Sequence, residues 1–313
     1  MAATLFQPAS HAGLVDFRTD LDASTEQFAQ LLDLTQQVKQ SRQRYASALK
    51  GRAIALLFEK PSLRTRMTFE LAIKQLGGDA VAQNGLIGDR EPLKDIARNL
   101  DRWTDAIVAR TFSQKTVDDL AEWSRVPVIN ALSDLYHPCQ ALADLYTLKE
   151  QFGRLKGLKL AYLGDGNNVA HSLLLSCARM GVNISIAAPN GYEPKNEILN
   201  NARTLAAQTG VEIQITNDPE DAVIAANAVY TDVWASMGQE AEAAERKELF
   251  APYQVNATLM GAARRDAIFM HCLPAKRGQE VTDEVIESSQ SVVFDQAENR
   301  LHTQKALLLS LLQ

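Results

Sequence analysis

Short apolar runs alternate with helical patterns along this chain, in two successive series, and that alternation restricts the fold more than any other feature. In the first series residues 53–57 read as a buried strand, 106–109 and 126–130 as further strands, and 80–82 as a short strand candidate. Between and around them lie amphipathic stripes. Leu21, Phe28, Leu31, Leu32 and Val38 mark one, Met67, Leu71 and Leu76 a second, and Leu93, Ile96, Ala97 and Leu100 a third. Val117, Leu120 and Ala121 mark a helix before the last of these strands, and His137-Pro138 opens one through Leu148. After a Gly- and Lys-containing connector at 153–157 the series resumes. Strands are predicted at 159–163, 184–188, 212–215, 228–231, 268–270 and 292–294, with helices at 168–180, 196–208, 218–226, 283–288 and 297–312. Such alternation specifies α/β architecture with parallel sheets. Two series predict two doubly wound parallel-sheet domains, over 1–150 and 151–296.

Length and charge narrow the class. At 313 residues the chain exceeds what one compact core usually organises. A net charge of −6 argues against nucleic acid or an anionic membrane as partner, yet leaves room for a local basic site. Cys139, Cys177 and Cys272 have neither metal-ligand nor disulfide spacing, which fits a reducing compartment such as the cytoplasm. The sequence shows no leader pattern and no run of about eighteen apolar residues, so neither targeting nor a membrane span is expected.

The unusual polar residues follow directly on predicted strands. Ser62 to Arg66, Arg110, Asn167-Asn168, Asp232 and His271-Cys272 all do so. Parallel sheets bind ligands beyond the carboxyl ends of their strands, so the expected active site is the cleft between the two domains. Ser62, Arg64, Thr65 and Arg66 sit where a strand turns into a helix. Uncompensated helix N–H groups, hydroxyls and guanidinium forks suit a phosphate there, and the same residues also serve an ordinary capped helix. Pro138 sets a helix start that presents His137 and Gln140, an imidazole for a carbonyl oxygen and an amide for an NH₂ group. Gly164-Asp165-Gly166-Asn167-Asn168 has no third glycine and no acidic ribose partner about twenty residues on, which excludes a dinucleotide turn. Asn168 offers donors and an acceptor to an amino-acid head group, or a plain helix cap. Asp232 can hold an ammonium group. Adjacent strand residues face opposite ways, so His271 is poorly placed as a base for Cys272.

Four of these motifs carry a resemblance. Ser62-Leu63-Arg64-Thr65-Arg66 looks like the carbamoyl-phosphate loop of the aspartate and ornithine carbamoyltransferases, usually Ser-Thr-Arg-Thr-Arg. Leu63 departs from that form and lacks a hydroxyl. His137-Pro138-Cys139-Gln140 is similar to a segment that both branches share. Asp232-x-x-x-Ser236-Met237-Gly238 and His271-Cys272-Leu273-Pro274 resemble the ornithine branch, and the likeness runs from about Phe6 to Leu312.

The resemblance implies an activity and a site. Carbamoyl phosphate and L-ornithine would give L-citrulline and phosphate, in arginine biosynthesis or catabolism, with no metal or organic cofactor. Ser62, Leu63 through its backbone, Arg64 and Thr65 would bind phosphate. Arg110, His137 and Gln140, with Pro138 and Cys139 between, would hold phosphate, carbonyl oxygen and carbamoyl NH₂. Cys272, Leu273 and Arg300 would close on the carbamoyl group. Asn168, Asp232, Ser236 and Met237 would receive ornithine. The catalytic set is Arg64, Thr65, Arg110, His137 and Cys272. The resemblance also implies a homotrimer with sites at subunit interfaces, and a last helix, 297–313, that returns to the first domain. Leu86 stands where many family members carry a glutamine that reaches a neighbouring subunit. Another amine, aspartate as acceptor, or a non-catalytic binding module are the alternatives.

Overall fold

A computed structural model describes residues 14–235 and 242–313. The described chain forms two compact units, one running up to Ser133 and including Leu301–Gln313, the other Asp134–Arg300. Compactness thus places the break before the helix that His137-Pro138 opens.

The first unit begins with α1 (Thr25–Gln40), started by a capping box in which Ser24 and Gln27 satisfy each other's backbone N–H groups. Strands β1 (Ala53–Phe58), β2 (Asp79–Asn84), β3 (Ala106–Arg110) and β4 (Val128–Leu132) alternate with α2 (Leu63–Gln75), α3 (Leu93–Trp103) and α4 (Gln114–Trp123). All pair in parallel, in the order β2-β1-β3-β4. Successive residues of β1 point to opposite faces, and Ile54, Ala55, Leu56 and Leu57 are all buried, so helices cover both faces there. Ala55 and Leu57 pack with Ala97, Val117 and Leu120 of α3 and α4.

The second unit opens with α5 (Pro138–Phe152), whose residues from Pro138 to Leu148 are all buried, an internal helix. Then come β5 (Lys159–Leu163), α6 (Asn168–Met180), β6 (Asn183–Ala187), α7 (Asn196–Thr209), β7 (Ile213–Thr216), α8 (Pro219–Val223) and β8 (Ala228–Thr231). After them follow α9 (Ala243–Leu249), α10 (Ala257–Ala262), β9 (Ile268–His271), α11 (Asp283–Ile286) and α12 (Val293–Leu312). The sheet is parallel throughout, in the order β7-β6-β5-β8-β9. Helix α12 carries the chain from the second unit into the first.

Both strand orders reverse direction once, between β1 and β3 in the first sheet and between β5 and β8 in the second. At those points neighbouring crossovers leave to opposite faces and open a crevice at the carboxyl edge. Residues Phe58 and Arg110 are register partners at the first, Leu163 and Thr231 at the second.

One local expectation fails, and two helices were not expected at all. Residues 292–294 do not form a strand: the chain pairs only briefly, Val292 N–H donating to Phe269 O at 3.1 Å, and is helical from Val293 on. Phe294 is 66% exposed, which a covered strand would not allow. Helices α9 and α10 have no counterpart in the sequence reading, being seven and six residues long and too short to show a period.

Candidate active site

The first crevice collects cationic and hydroxyl groups. Strand β1 ends at Phe58, and after Glu59-Lys60-Pro61 the N-cap of α2 is Ser62. Ser62 has extended backbone and makes no side-chain cap bond, so the first N–H groups of α2 are not satisfied by that hydroxyl. Arg64 and Thr65 lie in the first turn. Thr65 is 1% exposed and its Oγ1 accepts from Arg110 Nη1 at 3.3 Å, which brings the end of β3 against the start of α2. Glu59 holds the flanking segments: Oε1 accepts from the Ile87 N–H at 3.0 Å and Oε2 from the Phe112 N–H at 2.6 Å. Lys60 Nζ stands 4.4 Å above the Phe112 ring. Leu63 turns its side chain to solvent, so its backbone is the part of it that faces the helix start. Arg66 is spent elsewhere, on Glu70 at 2.7 Å and Asn84 at 3.1 Å.

A cavity of about 420 Å³ in the same unit is bounded by Leu57, Leu86, Ile87, Ile96, Leu100 and Trp103 among others. None of Ser62, Arg64, Thr65 and Arg110 lines it, and its wall mixes those apolar side chains with Gln83, Asp89, Arg90, Glu91 and Asn99.

In the second unit His137 is the N-cap of α5, with Pro138 next, as the motif requires. The His137 N–H donates to Ser172 Oγ at 2.9 Å. Cys139 is buried. Gln140 Oε1 accepts from Arg300 Nη1 at 2.8 Å, which joins the residues assigned to the carbamoyl group on α5 and α12.

The second crevice centres on Asp232. Its Oδ2 accepts from Asn167 Nδ2 at 2.9 Å and its Oδ1 from Cys272 Sγ at 3.0 Å. Each oxygen keeps a lone pair for a cation. Asn167 also caps α6, accepting from the Val169 and Ala170 N–H groups, and receives Tyr162 Oη at 3.3 Å. A Cβ at Gly166, the second glycine of that turn, would collide with the backbone N of Pro194, so the turn is packed against backbone and not opened for a pyrophosphate. Asn168 is the first residue of α6. Ser236 and Met237, expected to receive ornithine, lie outside the described residues. Arg246 anchors the chain that follows, donating to Asp165 Oδ2 at 2.9 Å and Trp234 O at 3.0 Å.

Cys272 has the wrong environment for a thiolate. Burial pushes its thiol well up and the Asp232 carboxylate pushes it further, so it stays protonated and donates. His271 is not its base. Nδ1 accepts from the Leu273 N–H at 2.8 Å, which leaves the ring proton on Nε2, 3.2 Å from Glu280 Oε1. This bond helps hold Leu273 at φ 56°. Asp232, His271 and Cys272 come close enough to suggest a metal trio, but both imidazole nitrogens are engaged. Asn167 stands out in sequence only as half of the Asn167-Asn168 pair after a strand, and Asp144, Tyr230 and Gln296 do not stand out as site residues. Only Asp144 left a signal, four residues past Gln140 on the same helix face.

Comparison with known proteins matches this arrangement over most of the chain. Residues 16–150 match the aspartate/ornithine carbamoyltransferase carbamoyl-P binding domain, and residues 156–311 the Asp/Orn binding domain. An ornithine carbamoyltransferase of Anoxybacillus flavithermus is 51% identical over 303 residues, 95% of this chain and 96% of that one. The protein named anabolic ornithine carbamoyltransferase in Pyrococcus furiosus is 53% identical over 263 residues, 83% of this chain and 84% of that one. A solved ornithine carbamoyltransferase from Pyrococcus furiosus superposes with TM-score 0.94 at 48% identity, covering 97% of this chain and 99% of that one.

Proposed function

The chain belongs to the aspartate/ornithine carbamoyltransferase family, and from that premise we infer that it transfers the carbamoyl group of carbamoyl phosphate to the δ-amine of L-ornithine, giving L-citrulline and phosphate. The observation that carries the choice of acceptor is Asp232, a carboxylate flanked by Cys272 and Asn167 at the carboxyl edge of the second sheet. It suits a substrate with an amine at each end, and it disfavours one with a second carboxylate. The name of the Pyrococcus relative favours the citrulline-forming direction.

The roles follow from where charge develops. A neutral δ-amine attacks the carbonyl carbon. Charge grows first on the carbonyl oxygen, which Thr65, Arg110 and His137 meet, and then on departing phosphate, which Arg64 and the start of α2 meet. Ser62 and the Leu63 N–H bind phosphate, Gln140 and Leu273 the carbamoyl NH₂, and Arg300 the carbonyl side, with Pro138 and Cys139 shaping the turn. Asn168, Asp232, Ser236 and Met237 receive ornithine. A protonated Cys272 orients the amine and forms no acyl intermediate. Residues 1–150 with the helix from about 297 would serve carbamoyl phosphate, and residues 151–296 ornithine.

Self-association as a homotrimer in the cytoplasm completes the proposal. Edge strand β2 is exposed along all six residues, with Val81 at 59%. Leu63, Met67 and Leu71 on α2 are exposed too, and such an apolar edge asks for cover. The purified protein, given carbamoyl phosphate with ornithine, putrescine, an acylated ornithine or aspartate in turn, should release citrulline from ornithine fastest. Faster turnover of another amine, or no turnover with any, would overturn the assignment.

A further inference from the structure

Three side chains of the second unit converge on one carboxylate. Asp144 is fully buried on α5. Its Oδ1 accepts from Gln140 Nε2 and from Gln296 Nε2, each at 2.7 Å, and its Oδ2 from Tyr230 Oη at 3.1 Å. Arginine has only donors and an ionised carboxylate only acceptors. Gln140, bracketed between Asp144 and Arg300, therefore has one amide orientation, nitrogen toward Asp144 and oxygen toward Arg300. Gln296 is bracketed likewise: its Oε1 accepts from the His271 N–H at 2.9 Å, one residue before Cys272.

We infer that Asp144 is a positioning residue for carbamoyl transfer: its carboxylate locks the Gln140 amide with its oxygen on Arg300 and that oxygen's second lone pair turned to receive the carbamoyl NH₂, and through Gln296 it ties down the strand end that carries Cys272. The inference rests on the activity proposed above. A protonated Asp144 would have to donate one hydrogen, yet its three partners all donate to it. Accommodating that proton turns the Gln140 nitrogen against Arg300, turns the Gln296 nitrogen against the His271 N–H, or leaves the Tyr230 hydroxyl without its acceptor. The last of these leaves both amides in place but exchanges charge-assisted bonds for weaker neutral ones, so the ionised form is the one that holds Gln140 and Gln296 firmly.

Burial pushes Asp144 up to about 7, against the pull of its amide and hydroxyl donors and of the Arg300 guanidinium. The other titratable groups facing it, Tyr230 and Cys272, are both held well above their ordinary values, so neither titrates in this window. Competence is thus present above about pH 7 and is lost as pH falls through it.

The test is the pH profile of kcat/KM for carbamoyl phosphate at saturating ornithine. Wild type should show an acid limb near pH 7. Asp144→Asn should lower kcat/KM about ten- to a hundredfold at pH 8 and abolish that limb, because an amide has no proton to titrate. Should that variant not fold, Tyr230→Phe decides: it removes one donor to the carboxylate, so the limb should move to higher pH. Wild-type kcat with an unmoved limb in Asp144→Asn, or an unmoved limb in Tyr230→Phe, would overturn the inference alone. Absence of citrulline from wild type would instead overturn the activity and the inference with it.

Discussion

Arg64 and Cys272 separate two kinds of proposed site residue. Arg64 is partly exposed in the first turn of α2, and no core depends on it. Arg64→Ala should lower kcat/KM by roughly a hundredfold, about 3 kcal/mol of barrier, with an unchanged melting temperature. A near-normal rate in the citrulline assay would remove Arg64 from the phosphate site. Cys272 donates to Asp232 and does not ionise at neutral pH. A serine hydroxyl can make that same donation, so Cys272→Ser should weaken ornithine binding and slow turnover yet keep measurable activity. Parallel-line kinetics in wild type, or a carbamoyl group trapped on Cys272 without ornithine, would contradict direct transfer.

Helix α6 shows how an element can carry a pH term of its own. His171 is buried, with Nδ1 3.0 Å from Leu135 O and Nε2 accepting the Lys195 N–H at 3.1 Å. Because Nε2 accepts, Nδ1 carries the proton and the ring is neutral. Burial, joined by the charge of Lys195, lowers His171 to about 4, against the bond to Leu135 O. The unfolded chain, with an ordinary histidine near 6.5, binds the proton first, so this stabilisation is complete above about pH 6.5 and is lost as pH falls toward 4. The loss is on the order of 3 kcal/mol. Asp144 works in the opposite sense, since its folded value is raised. Urea unfolding of wild type and His171→Gln from pH 7 to 4 isolates the histidine: their stability difference should shrink across that window, and a constant difference would refute the account. Elements were legible where a period had room to repeat, as in α2 or α3. The run Val292-Val293-Phe294 was misread because β-branched and aromatic residues suit a strand. What decides that run is packing around β9, invisible to a local window.

At the scale of the molecule, two parallel sheets each reverse their strand order once, and the polar strand ends fall there. Among the described residues that organisation leaves β2 as an uncovered edge. If a second copy covers it, sedimentation at micromolar concentration should give a trimer, and Val81→Lys, which puts a charge on the apolar edge, should shift the mass toward monomer. A monomer in the wild-type protein would remove the trimer from the proposal.

Which polar residues follow the strands was readable in sequence, because a strand must be apolar when covered on both faces and any polar residue past its end stands out. Ser62, Arg110, Asp232 and Cys272 declared themselves in this way. Tertiary structure alone decided how they are held. Hydrogen bonds join groups far apart in the chain, such as Gln140 to Arg300, and no local pattern encodes such a partner. Asn167 looked like half of a polar pair until it met Asp232, and Asp144 like one more residue of a buried helix until three donors turned toward it. Direction and burial of a side chain depend on what packs around it, and that exists only once the chain has folded.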